Sequence, residues 1–204
     1  MITLTKTLFS LLITAGVTLA ADQKDVVKEF QGVGRIHVLN SSSLRDASLA
    51  SDRIGCLNEQ GLLTQDDCAV FYIRNTTYHT LSSRRGDCSF QNANMPVNKD
   101  SVYGKTSHAW SCGGRVGTRP SAGGSDYDGP ALENYYTING FSYPFVCNGN
   151  LNCYYDIPRE PTRDETVQPV WQYYWGGQQM GITPGHMQVL WLWVPLKKGE
   201  GNEN

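Results

Sequence analysis

Residues Tyr135–Ile157 read YYTINGFSYPFVCNGNLNCYYDI, and this stretch decides the fold. An aromatic and β-branched run leads into the dipeptide Asn139-Gly140, and a second such run leaves it. Asn-Gly accepts the positive φ angles that a two-residue type I′ turn requires, so the pattern predicts a β-hairpin. A third apolar run, Tyr154–Ile157, follows a segment of turn-forming residues between Cys147 and Cys153. The stretch therefore predicts a three-stranded meander whose second bend is closed by a disulfide between those cysteines.

Other short runs also have the pattern of strands. The clearest are Gly34–Leu39, Ala69–Ile73, Val170–Trp175 and Met187–Val194. In the last run apolar residues occupy both faces, which is typical of a strand that is covered on both sides. Turns separate the runs and helical periodicity is almost absent, so we expect an all-β fold, a disulfide-stapled sandwich or barrel of short antiparallel strands. The alternative is an α+β fold with one short helix, for which Ser43–Ala50 is the candidate.

Residues 1–20 have the features of a secretory signal peptide. Lys6 supplies the positive charge, Leu8–Leu19 is apolar, and small residues precede a cleavage site before Ala21. A retained signal anchor is the alternative. Residues 21–204 would then form a single secreted β-rich domain, since one domain typically has roughly 100–200 residues. No other run is long enough to span a bilayer, so no membrane insertion is expected after cleavage.

The charge of the chain is close to balanced. It has 17 Lys and Arg residues against 19 Asp and Glu, a formal net charge of −2. Because no basic stripe is present to attract a phosphate backbone, we do not expect nucleic acid as a partner. We expect an extracellular monomer.

All six cysteines follow the leader: Cys56, Cys68, Cys88, Cys112, Cys147 and Cys153. An even number of cysteines behind a signal peptide is typical of disulfides in secreted proteins. Six cysteines can pair in many ways, and we expect pairing in sequence order because each consecutive pair brackets a turn-rich segment. A zinc site is the competing interpretation, but neither a Cys-x-x-Cys nor a His-x₃₋₅-His spacing occurs, so no metal site is expected.

Two N-glycosylation sequons are present. Asn40-Ser41-Ser42 follows the Gly34–Leu39 run, and Asn75-Thr76-Thr77 follows Ala69–Ile73. We expect Asn40 and Asn75 to be glycosylation sites in an exported protein.

The sequence contains no catalytic signature, and we expect neither a catalytic residue nor a cofactor. A secreted ribonuclease could be assembled from His79, His108, Glu133 and either Arg115 or Arg119. Carboxylates for glycoside hydrolysis could be drawn from Asp126, Asp128, Glu133 and Asp156. Whether either set forms an active site depends on the distances between these groups, which the sequence does not give. No Gly-x-Ser-x-Gly motif is present to supply a serine nucleophile. A secreted hydrolase stays an alternative.

Aromatic residues are concentrated in the second half of the chain. Trp171, Tyr173 and Trp175 share one face of the Val170–Trp175 run, and a glycine-rich segment with His186 follows. Exposed Trp and Tyr rings stack on sugars and anchor protein interfaces, so these four residues form the candidate binding surface. The alternative is that most of the rings belong to the core.

Three parts of the chain carry a resemblance: Gly55–Asn58 with Asp67–Phe71, Leu81–Ser83 with Gly86–Cys88, and Trp110–Cys112. Behind a hydrophobic leader, they resemble the small secreted cysteine-containing proteins of filamentous fungi. The resemblance implies an effector-like protein that contributes to virulence. Such a protein would bind a host protein or a cell-wall glycan without catalysing a reaction. It transfers no functional residues, because that group shares no active-site motif. A hydrolase or a carbohydrate-binding module is the alternative.

Overall fold

The computed structural model describes residues 30–75, 79–113, 133–138, 140–148, 153–162 and 167–197, without the side chains of residues 74 and 75. The expected signal peptide lies outside the described residues. So do most of the loop at 113–130 and four candidate residues, Arg115, Arg119, Asp126 and Asp128.

The described part of the chain is all-β apart from one short helix, which confirms the expected fold class. In chain order its elements are β1 (Val33–Leu39), α1 (Leu49–Asp52), β2 (Arg53–Leu57), β3 (Leu63–Thr64), β4 (Phe71–Asn75), β5 (His79–Ser83), β6 (Gly86–Ser89), β7 (Ser111–Cys112), β8 (Tyr135–Thr137), β9 (Val146–Asn148), β10 (Tyr154–Ile157), β11 (Trp171–Gln172) and β12 (Met187–Pro195).

The helix is shorter and begins later than the predicted segment Ser43–Ala50. Ser43 does organise one turn, since its Oγ accepts a hydrogen bond from the Asp46 amide at 3.2 Å. The helix α1 itself contains no buried residue, and a helix of one turn is only marginally stable by itself. Among the described residues, no helix has the length and the apolar character needed to cross a membrane.

Ten of the described strands form one antiparallel sheet that curls into a half-barrel, in the order β11-β10-β12-β1-β4-β5-β6-β7, with β2 and β3 branching from β1. Strand β1 is the centre of this sheet. Along one edge it pairs with β12 over Gly34–Leu39. Its other edge is shared, because Val33 and Gly34 pair with β4 while His37–Leu39 pair with β2.

Strand β12 is covered on both faces, as its sequence predicts. Val189, Trp191 and Trp193 belong to the larger core cluster, and Leu190 and Leu192 belong to a smaller one on the opposite face. All five side chains are buried. The strand therefore lies between two apolar layers, which is the environment that an uninterrupted apolar run requires.

Aromatic rings fill the larger core. The ring of Trp191 stacks on Tyr155 with 3.7 Å between centroids and meets Trp110 edge-on at 4.8 Å. All three side chains are fully buried. Burial of each ring contributes roughly 2–3 kcal/mol to folding relative to an exposed ring. Much of the aromatic content therefore serves packing.

The three disulfides pair in sequence order, as expected: Cys56–Cys68, Cys88–Cys112 and Cys147–Cys153. The first joins β2 to the segment before β4. The second joins directly opposed residues of β6 and β7. The third closes the segment between β9 and β10.

The predicted hairpin exists, but its turn does not lie where the sequence placed it. In the pairing of β8 with β9, Thr137 lies opposite Val146, so residues 138–145 connect the two strands. The prediction of a two-residue turn at Asn139-Gly140 is therefore wrong. Asn139 lies outside the described residues, while Gly140 does adopt a positive φ of 97°. The connection is long because its aromatic side chains pack over the smaller core.

The prediction of a three-stranded meander is also wrong, because β10 does not pair with β9. It pairs with β11 and β12 in the large sheet, and β8 and β9 form a separate two-stranded sheet. A bridge between Phe145 and Leu192 connects the two sheets. The backbone of Cys153 has a φ of 57°, in the left-handed region, which turns the chain from one sheet to the other. The Cys147–Cys153 disulfide thus links two sheets.

Candidate functional site

The four residues of the predicted binding surface lie in one region but differ in exposure. Trp171 is buried, and its ring stacks on that of His186 with 5.7 Å between centroids. Tyr173 is half-buried, with its ring 5.5 Å from the ring of Tyr154. Trp175 is 63 % exposed. The predicted strand Val170–Trp175 is only β11 in the structure, so strand alternation does not extend to Trp175.

Trp175 belongs to a lobe in which two distant segments pack together. We call residues 96–108 and 171–187 the two-loop lobe. Several hydrogen bonds cross between its segments, among them Trp171 Nε1 to the Pro96 carbonyl at 3.0 Å, Ser107 Oγ to Tyr174 Oη at 3.1 Å, and the Gln178 amide to Tyr103 Oη at 3.0 Å. The contact between the segments is close at Gly104, where a Cβ atom would lie 2.8 Å from the Tyr174 ring.

The side chain of Gln179 ties the lobe together from inside. Its Oε1 accepts hydrogen bonds from the Val102 amide at 2.7 Å and from Ser101 Oγ at 3.2 Å. Its Nε2 donates to the carbonyls of Tyr174 at 2.9 Å and Gly181 at 3.3 Å. Gln179 is buried, so these bonds are shielded from water and fix both segments.

A tight turn then displays two apolar side chains. Gly176 and Gln179 exchange both backbone hydrogen bonds, at 2.8 and 3.0 Å. Trp175 and Met180 flank this pair, and they are 63 % and 84 % exposed. Their exposure results from a hydrogen-bonded turn and not from a loose segment.

Two further apolar side chains join them from the other segment. Val102 and Tyr103 are 39 % and 43 % exposed, and the Tyr103 ring lies against Gly176, where a Cβ atom would be 2.6 Å away. We call Val102, Tyr103, Trp175 and Met180 the Trp175 patch. Among the described residues, five large apolar side chains are exposed: these four and Val167. Several exposed apolar side chains within one lobe are typical of an interaction site.

Behind the patch lies a buried polar cluster around Asp156 of β10. Its Oδ1 is 2.6 Å from His186 Nδ1. Its Oδ2 accepts hydrogen bonds from Thr183 Oγ1 and from Asn98 Nδ2, the latter at 3.1 Å. Asp156, Thr183 and Asn98 are buried. One carboxylate therefore holds both segments of the two-loop lobe onto the sheet.

Burial also sets the electrostatics of this cluster. Desolvation raises the pKa of the Asp156 carboxyl, and the hydrogen bonds from Thr183 and His186 offset part of that rise. An aspartate that orients an imidazole through Nδ1 leaves Nε2 for proton transfer. Among the described residues, none forms a hydrogen bond with His186 Nε2. The pair anchors the lobe, because Asp156 also accepts hydrogen bonds from Asn98 and Thr183 of its two segments.

The remaining candidate catalytic residues have separate partners. His108 Nδ1 is 3.0 Å from the Met95 carbonyl. The exposed ring of His79 packs edge-on against the ring of Phe30, with 6.4 Å between the ring centroids. Glu133 accepts hydrogen bonds from the Phe90 amide at 2.7 Å and from Tyr135 Oη at 2.6 Å. Burial raises the pKa of the Glu133 carboxyl. No hydrogen bond between described residues joins two members of the ribonuclease set.

The two described members of the glycoside-hydrolase set, Glu133 and Asp156, have different hydrogen-bond partners. Glu133 belongs to the network of Tyr135 and Trp110, whereas Asp156 belongs to that of His186. No group of three or more His, Cys, Asp or Glu side chains in the described ranges is arranged to hold a metal ion.

Sequence reasoning missed Gln179, Thr183 and Asn98 as organisers of this region. All three are polar residues in segments that read as loops. Their sequence neighbours carry no pattern that would reveal burial, because each bonds to partners more than 20 positions away or to loop carbonyls.

No family model matches the chain, and neither curated proteins nor solved structures show a detectable similarity to it.

Proposed function

We propose that this protein is an exported, non-enzymatic binding protein of the effector type, and that it contacts a host protein through the Trp175 patch. The observation that carries this proposal is the exposure of Trp175 and Met180 on a turn that is fixed by internal hydrogen bonds.

The fixed backbone of the turn supports a binding role. Loops usually lose conformational freedom when they bind a partner, and a backbone that is fixed beforehand reduces that cost. Gln179 and Tyr103 hold the turn in one arrangement before any partner arrives. Trp and Tyr are also the residues that most often dominate the energy of protein interfaces.

The composition of the patch favours a protein over a glycan. A sugar-binding surface combines aromatic rings with polar side chains that bond to hydroxyl groups. Here Trp175 and Tyr103 are accompanied by Val102 and Met180, and exposed Met is typical of adaptable protein-binding surfaces.

Three disulfides are typical of an oxidising, extracellular environment, which is where such a partner would be met. The proposal includes cleavage of the leader before Ala21 and glycosylation at Asn40. Asn40 is exposed at the end of β1 and is therefore accessible for modification. The side chain of Asn75, the second sequon, lies outside the described part of the chain.

The test measures binding of the fluorescently labelled protein to intact host cells over a range of concentrations. We expect saturable binding of the wild type and at least a tenfold weaker Kd for Trp175→Ser, because an interface anchor typically contributes about 2 kcal/mol or more. Val167→Ser is the matched control, since Val167 is also an exposed apolar residue but lies on another segment, and its Kd should stay within about twofold of the wild type.

The same assay identifies the class of partner. Treatment of the cells with protease should abolish binding, and treatment with glycosidases should not. Equal binding by the wild type and Trp175→Ser would contradict the role of the patch. Retention on chitin, glucan or cellulose that Trp175→Ser loses would overturn the protein partner in favour of a glycan.

A further inference from the structure

A cavity opens on the side of the sheet where β1 ends and β12 begins. The cavity is shallow and largely open to solvent, with a volume of about 570 Å³. Residues 40–43, Asp46 and Asp52 form one wall, and Met187 and Gln188 form the other. None of the four exposed apolar residues of the Trp175 patch lines it.

One wall of this cavity is a sequon. Asn40 is the first residue of Asn40-Ser41-Ser42, and it is exposed. Its backbone amide donates to the Asp52 carbonyl at 2.8 Å, and its side-chain Nδ2 donates to Glu160 Oε1 at 3.1 Å. An N-linked sugar replaces only one of the two Nδ2 hydrogens, so the bond to Glu160 is compatible with glycosylation. Asn40 thus lies at the cavity, and its side chain is held beside Glu160 before a sugar is attached.

The chemistry of the walls fits a neutral sugar. The carboxylates of Asp46 and Asp52 accept hydrogen bonds from hydroxyl groups, and Gln188 can both donate and accept. Met187 is half-buried and offers an apolar surface to the carbon face of a sugar ring. The described residues that line the cavity include no Lys, Arg or His, so they offer an anionic ligand no counter-charge.

We infer that the first N-acetylglucosamine of a glycan on Asn40 sits in this cavity and contacts Met187. The inference rests on the export that the proposed function includes, because N-glycans are attached in the secretory pathway. It does not depend on the Trp175 patch. The glycan is added to the chain before folding is complete, so the cavity forms around a sugar that is already tethered to its wall.

The methionine methyl groups provide the test. The protein is secreted from a eukaryotic host with ¹³C-methyl methionine, and its glycans are trimmed to one N-acetylglucosamine. Glycopeptide mass spectrometry should show Asn40 occupied. In NMR spectra the Met187 methyl signal should show a nuclear Overhauser effect to the sugar, and it should shift between the wild type and Ser42→Ala, which removes the sequon but keeps Asn40. The methyl signals of Met95 and Met180, which do not line the cavity, should stay unchanged.

Each outcome decides the inference separately from the proposed function. An unoccupied Asn40 in secreted protein would overturn it, and so would an occupied Asn40 without a contact or shift at Met187. Neither result would alter cell binding through Trp175. Conversely, loss of the binding function would leave the Met187 signals unaffected. Because Ser42 contributes its backbone carbonyl to the Tyr154 hydrogen bond at 2.7 Å, Ser42→Ala keeps that contact and is expected to fold.

Discussion

At the scale of single residues, Asp156 shows how one buried carboxylate can organise a surface that lies some distance from it. Thr183, His186 and Asn98 converge on its two oxygens, and they come from both segments of the two-loop lobe. Burial disfavours the charged carboxylate, and the hydrogen bonds from its three partners offset part of this effect. Removal of the acceptor would therefore leave several buried donors without a partner.

We accordingly predict that Asp156→Ala lowers the free energy of unfolding by about 2–4 kcal/mol, because unsatisfied buried donors cost more than the lost bond itself. Urea denaturation followed by tryptophan fluorescence measures this. Asp100→Ala is the control, since Asp100 is exposed, and its effect should stay within about 0.5 kcal/mol. Equal effects of the two substitutions would show that the cluster does not anchor the lobe.

At the scale of elements, the packing of β1 against β12 limits the side chains that either strand can carry. Gly34 lies at the start of β1, opposite Pro195, and the Trp193 ring covers its Cα. A Cβ atom at Gly34 would lie 2.5 Å from Trp193 and 2.7 Å from the Val194 carbonyl oxygen. The glycine is required by a close approach between two strands.

We predict that Gly34→Ala destabilises the protein by roughly 2–3 kcal/mol, because either Trp193 or the β1–β12 pairing must shift. The midpoint of urea unfolding measures the loss. Gly177→Ala is the matched control, because a Cβ atom at Gly177 would meet open space. For this variant we expect no loss or a small gain in stability. A neutral Gly34→Ala would mean that the strands separate at this point without cost.

At the scale of the whole molecule, the disulfides constrain loops of very different length. Cys88 and Cys112 are 24 positions apart, whereas Cys147 and Cys153 are 6 apart. All four cysteines are buried, so the loss of packing on substitution by alanine is comparable. The difference in chain entropy should therefore dominate the comparison.

We predict that the double substitution Cys88→Ala with Cys112→Ala destabilises the protein by about 1 kcal/mol more than Cys147→Ala with Cys153→Ala, since the longer loop gains more freedom in the unfolded chain. Guanidinium denaturation of both variants under non-reducing conditions gives the two values. The reverse order would indicate that the link between the two sheets matters more than loop length.

Several features could be read from sequence because they depend on neighbours along the chain. The apolar residues on both faces of Met187–Val194 predicted a strand between two layers, and the structure has β12 there. The disulfides also followed sequence order. Each pair closes a single segment of the chain, so its two cysteines can meet without contacts between distant parts of the sequence. The hairpin of β8 and β9 was recognised, but not its turn, since tertiary packing of residues 138–145 outweighed the Asn-Gly signal.

By itself, then, the sequence determined the all-β class and the position of the covered strand, both of which follow from local periodicity. It favoured disulfide pairing in sequence order without fixing it, because six cysteines can pair in many ways. Only the tertiary structure decided which aromatic residues are exposed and which polar residues meet. Trp171 is buried and Trp175 is exposed although both share one sequence pattern. Val102 meets Gln179 across 77 positions, and Asp156 meets His186 across 30. Such contacts depend on how distant segments pack, and no property of either segment alone specifies them.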